Sequence, residues 1–392
     1  MTEKNLKPWG ELYGIRPVNQ IRQMLEQNMT EDEIIFHLKN DLKVDDTRAK
    51  MSLYLGKKEY NEKKSLRKNS VSLYIGIPFC PTRCAYCSFF SMGTDRMAKH
   101  VEPYLEGLLK ELFETTKIIK DLGLLVDTVY VGGGTPTTLN PEQLVKLLGP
   151  VYDNFGSSLR EFTVEAGRPD TVTESKLHTL SLLGVDRISI NPQSLNQKTL
   201  DKIGRKHTTE QVYKAFNIAR KFDFKINMDT ITGLPDETED DFKYTLDEVL
   251  ALNPENITVH TLSIKRAADL KKKQEELENK MASIVGNMTD YSHESLIKNG
   301  YKPYYLYRQR DILGHLENVG WEKGDTPCLY NILMMGEIQT VISVGVGAVT
   351  KLVGKNKTER IFNMKDVFEY LNRLDEINEK KKYIYKFMEE EI

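Results

Sequence analysis

Six short runs rich in β-branched and aromatic residues, each followed by a helical stretch, limit this chain's fold more than any other feature. They are VSLYIGIP (71–78), DTVYVGGG (127–134), EFTVEAG (161–167), DRISINPQS (186–194), FKINMDTITGLP (224–235) and ENITVHTLSI (255–264). Helix signals lie between them. Asn140 precedes Pro141 as an N-cap with proline in the first turn, Gly184 closes TESKLHTLSLLG, and Thr238 opens an acidic first turn. Strand and helix alternating about six times predict parallel strands joined by right-handed crossovers. The expected fold is therefore α/β, either a β/α barrel (complete or partial) or a doubly wound sheet. In both, ligands gather at the carboxyl ends of the strands. Here those ends carry Cys, Gly-Gly-Gly, Glu-Ala-Gly-Arg, Asn-Pro-Gln and Gly-Leu-Pro.

The flanks read differently. Residues 1–65 look helical and charged, with Thr30 and Glu33 forming a capping box ahead of Ile34, Ile35 and Leu38. The Lys-rich run KKEYNEKKSLRKNS (57–70) reads as a solvated connector, so the β/α core is placed at 66–265. An α+β extension is expected over 266–392. It opens with a long helix to residue 299 that carries Met281, Ile284, Val285, Met288 and Tyr291 on one stripe. YKPYYLYRQR (301–310) and TVISVGVGAVTKLVG (340–354) read as strands, and 364–382 as a closing surface helix.

A formal net charge of −2 offers no general attraction to nucleic acid or anionic membrane. The start of the chain has no apolar signal-peptide core, and the run 341–350 is too short to span a bilayer. Four cysteines in 392 residues do not make a disulfide framework, so a reduced cytoplasmic protein is expected.

Three of those cysteines, Cys80, Cys84 and Cys87, fall within eight positions as C-x3-C-x2-C, directly after the first strand. Structural zinc prefers four protein ligands in paired units, and inert core thiols do not cluster around Pro, Thr and Arg. Three thiolates suit a [4Fe–4S] cluster with one iron left open; zinc and plain buried thiols remain the alternatives. Cys328 stands alone and reads as an ordinary thiol.

C-x3-C-x-Tyr-C after YIGIPF, with GGGTPT (132–137) one strand later, resembles the radical S-adenosylmethionine (SAM) superfamily. More narrowly, residues 71–265 are similar to the oxygen-independent coproporphyrinogen III oxidases/dehydrogenases and their relatives. WGELYGIRP, ENVGW and VGVGAVTK resemble the HemZ-type branch. The resemblance implies a partial (β/α)6 barrel, a [4Fe–4S] cluster, and SAM chelated to its open iron. One electron would cleave SAM to a 5′-deoxyadenosyl radical that abstracts hydrogen, while the protein supplies placement and exclusion of water.

By the same resemblance, Gly133, Gly134 and Thr135 hold the methionyl part of SAM. Tyr74, the candidate catalytic contact, lies near the sulfonium, where an aromatic face stabilises a cation. Glu165, Gln193, Arg205 and Asp229 match further cofactor contacts. Taken singly, each has a plainer reading: a strand tyrosine, a tight glycine turn, a helix cap, a surface arginine. Two positions depart from the family pattern. Gly76 stands where a histidine is usual, and Phe89 where well-characterised members carry another cysteine.

For the substrate, the resemblance implies coproporphyrinogen III, losing carbon dioxide from two propionates to give vinyl groups and protoporphyrinogen IX. An electron donor such as flavodoxin or ferredoxin is implied as partner. Arg168, Lys302, Arg308 and Arg310 are candidate propionate cations. Two other activities share these motifs: haem binding and delivery, and radical methylation and opening of haem.

Overall fold

The computed structural model describes residues 8–87, 99–263, 271–309 and 312–391. Its strands are β1 (Ser70–Ile77), β2 (Leu125–Gly133), β3 (Glu161–Glu165), β4 (Arg187–Ser189), β5 (Lys225–Thr232), β6 (Asn256–Thr261), β7 (Lys302–Tyr307), β8 (Asn318–Glu322), β9 (Val341–Val344), β10 (Val349–Val353) and β11 (Thr358–Phe362). All six strands read from the core sequence are present, and the fold is α/β with parallel pairing, as expected. The chain divides into two compact units: one of residues 1–65, 192–203 and 227–336, the other of 66–191, 204–226 and 337–392.

In the second unit the strand order is β11-β10-β9-β1-β2-β3-β4. β1, β2, β3 and β4 pair in parallel, and β9 joins the free side of β1, also in parallel. The register places Tyr74 beside Tyr130 and Gly76 beside Gly132. Leu73, Ile75, Val129, Val131 and Val164 are buried on one face of the sheet, and Tyr74, Tyr130 and Thr163 alternate onto the other. The helix signals hold: Asn140 caps Pro141–Phe155 in a capping box with Gln143, and Gly184 takes φ +73° past the helix Glu174–Leu182.

In the first unit the order is β5-β6-β8-β7, with β5 and β6 parallel and β8 antiparallel to both of its neighbours. Thr30 makes its capping box with Glu33, and Thr238 makes one with Asp241. The long helix of the extension spans Lys271–Lys298.

Two segments differ from their sequence reading. The Lys-rich run is no connector at its start, since the helix Asp46–Ser65 continues through it. Glu59 is buried there against Arg22, and Lys58 pairs with Glu322, so charges that look solvated have partners inside the unit. The closing helix is three shorter ones, Val367–Asn372, Leu374–Lys381 and Tyr383–Glu391, and Tyr370, Ile377 and Lys381 are buried rather than on the surface.

A buried polar knot ties the N-terminal segment into the first unit. Glu317 takes a hydrogen bond from Trp9 Nε1 at 2.6 Å and pairs with Arg48 Nε at 2.9 Å and His293 Nε2 at 3.5 Å. Burial pushes the Glu317 carboxyl up, but Arg48, His293 and Trp9 outweigh it and hold it below the ordinary glutamate value. A lowered folded-state pKa gives stability that is complete above the unfolded value and is lost as pH falls through the folded one. Glu317→Gln is therefore expected to flatten the acid limb of the unfolding curve followed by tryptophan fluorescence. An unchanged limb would remove this carboxylate from the linkage.

Candidate functional site

The cysteine loop follows β1 in the second unit. Cys80, Cys84 and Cys87 are half-buried, and the loop is held from several sides. Gly134 N donates to Ile77 O and Thr135 N to Phe79 O, each at 2.7 Å. Thr135 Oγ1 lies 3.5 Å from Cys80 Sγ. Thr82 Oγ1 donates to Gly204 O at 3.0 Å and receives Arg168 Nη1 at 2.8 Å. The GGGTPT turn thus spends one backbone donor on the end of β1 and one on the loop that follows it.

Glycine is required at this turn. A Cβ on Gly134 would lie 2.5 Å from Phe79 O and 2.9 Å from Ile77 O, which are backbone atoms unable to swing away. Gly134→Ala is expected to cost about 1–3 kcal/mol of stability and to lower both cluster content and SAM retention. Gly149→Ala, whose Cβ meets nothing within 4 Å inside the helix Pro141–Phe155, is the control and should leave both unchanged. Equal behaviour of the two variants would overturn the argument.

Beside the turn, Tyr74 and Tyr130 stack with ring centres 6.3 Å apart and planes at 15°. Tyr130 Oη donates to Glu165 Oε1 at 2.6 Å, and a Cβ on Gly133 would sit 3.3 Å from Tyr74 Oη. Tyr74, Gly133, Gly134, Thr135 and Glu165 therefore form one patch across β1, β2 and β3. Burial, with the Glu165 charge, raises the Tyr74 phenol, so it stays neutral.

Arg205 joins this unit's site in an unforeseen way. Its Nη2 donates to Gly167 O at 2.8 Å and Asn191 O at 2.6 Å, while Nη1 reaches Tyr86 Oη at 3.3 Å and Cys84 Sγ at 4.0 Å. The guanidinium braces the cysteine loop. Asn191 Oδ1 is buried with no hydrogen-bond partner among the described residues, a vacancy that suits a donor on a ligand. His207, near Arg205 and Arg168, is pushed down to about 3, first by burial and then by those two cations, so it is neutral at physiological pH.

Gln193 and Asp229 belong to the first unit. Gln193 adopts φ +65°, a left-handed conformation that is strained for a side-chain-bearing residue. Its N donates to Asp229 O at 2.9 Å, and its buried Oε1 has no partner among the described residues. Asp229 turns to Asn227 and His260.

Two of the expected propionate cations are engaged by the protein itself. Arg168 is spent on Thr82 and Asp170. Arg308 donates to Leu12 O and His315 O and lies over the Trp9 ring. Lys302 sits exposed at the opposite end of β7 from Tyr307, and Arg310 lies outside the described residues, as does Phe89. At Gly76 a Cβ would touch Val344 O and Val346 O at 3.4 Å and Tyr74 at 3.5 Å, so the turn after β9 lines the flank where the family histidine is usual.

Among the described residues no three His, Cys, Asp or Glu side chains converge at metal-binding distance. The fit to an iron–sulfur group rests on the donor set: three half-buried cysteines on one loop braced by a glycine turn and an arginine. Cys328 is a buried thiol, as its isolation suggests.

A family model, the radical SAM superfamily, matches residues 74–249. The oxygen-independent coproporphyrinogen-III oxidase-like protein HemZ of Bacillus subtilis is 38% identical over 389 residues, which is 97% of this chain and 78% of that protein. The chain belongs to the oxygen-independent coproporphyrinogen III oxidase-like family of the radical SAM superfamily. Members of the superfamily use a [4Fe–4S] cluster and SAM, and these are this family member's cofactors. The heme chaperone HemW of Bacillus subtilis is 36% identical over 196 residues, 49% of this chain and 50% of its own length. The fold is shared with coproporphyrinogen III oxidase (HemN) from Escherichia coli at TM-score 0.62 and 22% identity, over 83% of this chain and 73% of that one. Among the described residues no helix is long and apolar enough to cross a membrane.

Sequence reasoning gave no role to Tyr130 or His260, which lie within strand runs with no motif to mark them, and noted Asn191 only as part of the Asn-Pro-Gln strand end.

Proposed function

We propose that this family member performs oxygen-independent oxidative decarboxylation of coproporphyrinogen III to protoporphyrinogen IX. The observation that carries the proposal is the HemZ match, 38% identical over 97% of the chain, where HemW relatives match 49% to 81% of it at 36% to 26% identity. Cys80, Cys84 and Cys87 would hold the cluster. Gly133, Gly134, Thr135, Tyr74 and Glu165, all of the second unit, would seat SAM. Arg205 keeps the cysteine loop in place. When bound, cluster and SAM supply a one-electron cleavage that furnishes a hydrogen-abstracting radical. The chain's residues position the β-carbon of a propionate, exclude water, and hold the carboxylate that leaves as carbon dioxide. One electron per propionate passes to a one-electron acceptor, and a flavodoxin- or ferredoxin-type protein supplies the reducing electron.

Anaerobically reconstituted protein, given SAM, a reductant and coproporphyrinogen III, is expected to release carbon dioxide and form vinyl product. A second reading, haem binding and delivery, draws on the HemW relatives. Stoichiometric haem binding with no release of carbon dioxide would favour it and would overturn the decarboxylase proposal.

A further inference from the structure

The YKPYYLYRQR run supplies a hydroxyl where its sequence suggests cations. Within the first unit, β5, β6 and β7 together build a polar chain. Asp229 Oδ1 receives Asn227 Nδ2 at 2.7 Å, and Asn227 Oδ1 receives Thr258 Oγ1 at 3.0 Å. Asp229 Oδ2 lies 3.6 Å from His260 Nε2, with the two side chains 17% and 24% exposed. His260 Nδ1 is 3.2 Å from Tyr307 Oη. Tyr305 stacks on Tyr307 at 6.2 Å and 11°, and Gln309 makes a further hydrogen bond to the Tyr307 side chain.

β7 runs parallel to β6, because both pair antiparallel with β8. His260 and Tyr307 therefore lie at the carboxyl ends of their strands, where α/β proteins bind ligands.

Burial pushes the Asp229 carboxyl up, yet His260, Asn227 and Thr258 hold it below the ordinary value. It stays an anion. His260 stands between the two, with Nε2 toward the carboxylate and Nδ1 toward the phenol oxygen. When Nδ1 bears a hydrogen and Gln309 donates, both lone pairs of the phenol oxygen are engaged and its proton points outward. Burial and the Asp229 charge raise the Tyr307 phenol, which keeps that proton in place.

We propose that Asp229, His260 and Tyr307 form a donor chain whose outer hydroxyl, Tyr307 Oη, binds a carboxylate of the substrate. This rests on the reading of the substrate as an acidic tetrapyrrole. Tyr307 is the binding group; His260 and Asp229 are positioning residues that act through it.

The full-length protein can be titrated, by porphyrin fluorescence, with coproporphyrin III and with its tetramethyl ester under the same conditions. SAM binding is measured alongside. Tyr307→Phe is expected to raise the Kd for the tetra-acid about tenfold, the size of one hydrogen bond to a charged group, and to leave the ester and SAM unaffected. His260→Gln should give most of the same loss, and the double variant should be no worse than Tyr307→Phe alone, because the residues act in series. Tetra-acid binding unchanged in Tyr307→Phe overturns the proposal, as does equal loss for acid and ester. A loss confined to SAM assigns the chain to the cofactor carboxylate and overturns it too. No turnover is needed, so a protein that binds without decarboxylating tests the chain equally well. Wild-type protein that binds neither porphyrin fails the substrate reading first.

Discussion

Cys84→Ala, purified without oxygen and resupplied with iron and sulfide, is expected to hold almost none of the iron that the parent binds. The reasoning starts from ligand count. Cys80, Cys84 and Cys87 are three half-buried cysteines on one loop, and a site-differentiated cluster has no protein ligand to spare when its fourth iron is kept for a small molecule. Cys84 is also the thiol nearest Arg205, with Nη1 at 4.0 Å, so its removal leaves that guanidinium with Tyr86 and two backbone carbonyls. Those bonds keep the loop folded, and the variant should lose iron without losing stability. Cys328→Ala, a buried thiol elsewhere, should retain full iron and the broad absorbance of an iron–sulfur protein. Full iron in Cys84→Ala, or equal loss in both variants, would falsify the ligand assignment.

The largest stability loss is expected from Glu111→Ala. Glu111 and Lys381 are both 0% exposed and 2.6 Å apart. The same carboxylate accepts from Asn363 Nδ2 at 2.7 Å, Gly345 N at 2.8 Å and Tyr370 Oη at 2.6 Å. Lys381 also donates to Ser343 O at 2.8 Å and Thr115 Oγ1 at 3.1 Å. Every strong acceptor and donor is satisfied, so deleting the anion strands a buried ammonium ion, at a cost of about 3–5 kcal/mol. Replacing both partners, as Glu111→Leu with Lys381→Met, should cost less than the sum of the two single changes, because no charge is left unpaired. Denaturant unfolding of the four proteins checks this, and strict additivity would sink it. The network also reaches the strand that carries the cysteine loop. Tyr104 Oη donates to Gly76 O at 2.6 Å and accepts from Val346 N at 3.1 Å. Loosened cysteine-loop geometry should therefore accompany the loss, seen as faster iron release to a chelator.

The β/α repeat was legible because it depends on local chemistry. Strands that bury one face in a core place β-branched and aliphatic residues at every second position, and helix ends need side-chain caps; both leave marks within a few residues. Thr30, Asn140 and Thr238 cap as their neighbours require. The cysteine loop was legible for the same reason, since three thiols within eight positions are close whatever the fold does. The closing segment misled because burial of Tyr370, Ile377 and Lys381 depends on Glu111 and Ser343, residues far away in the chain. Arg168 and Arg308 misled in the same way. A loop arginine reads as available until its acceptors, Thr82 and Asp170 for one and Leu12 and His315 for the other, are known.

Sequence alone thus determined the alternation of strands and helices, the thiol trio and the glycine turn, each a matter of residues a few positions apart. Tertiary structure alone decided which charged and polar groups are spent on the protein itself and which remain for a ligand. It gave Arg205 to the cysteine loop and joined Asp229, His260 and Tyr307 across three strands. Hydrogen bonds and ion pairs act over a few ångströms, and proximity on that scale between residues 30 or more positions apart exists only once the chain has folded.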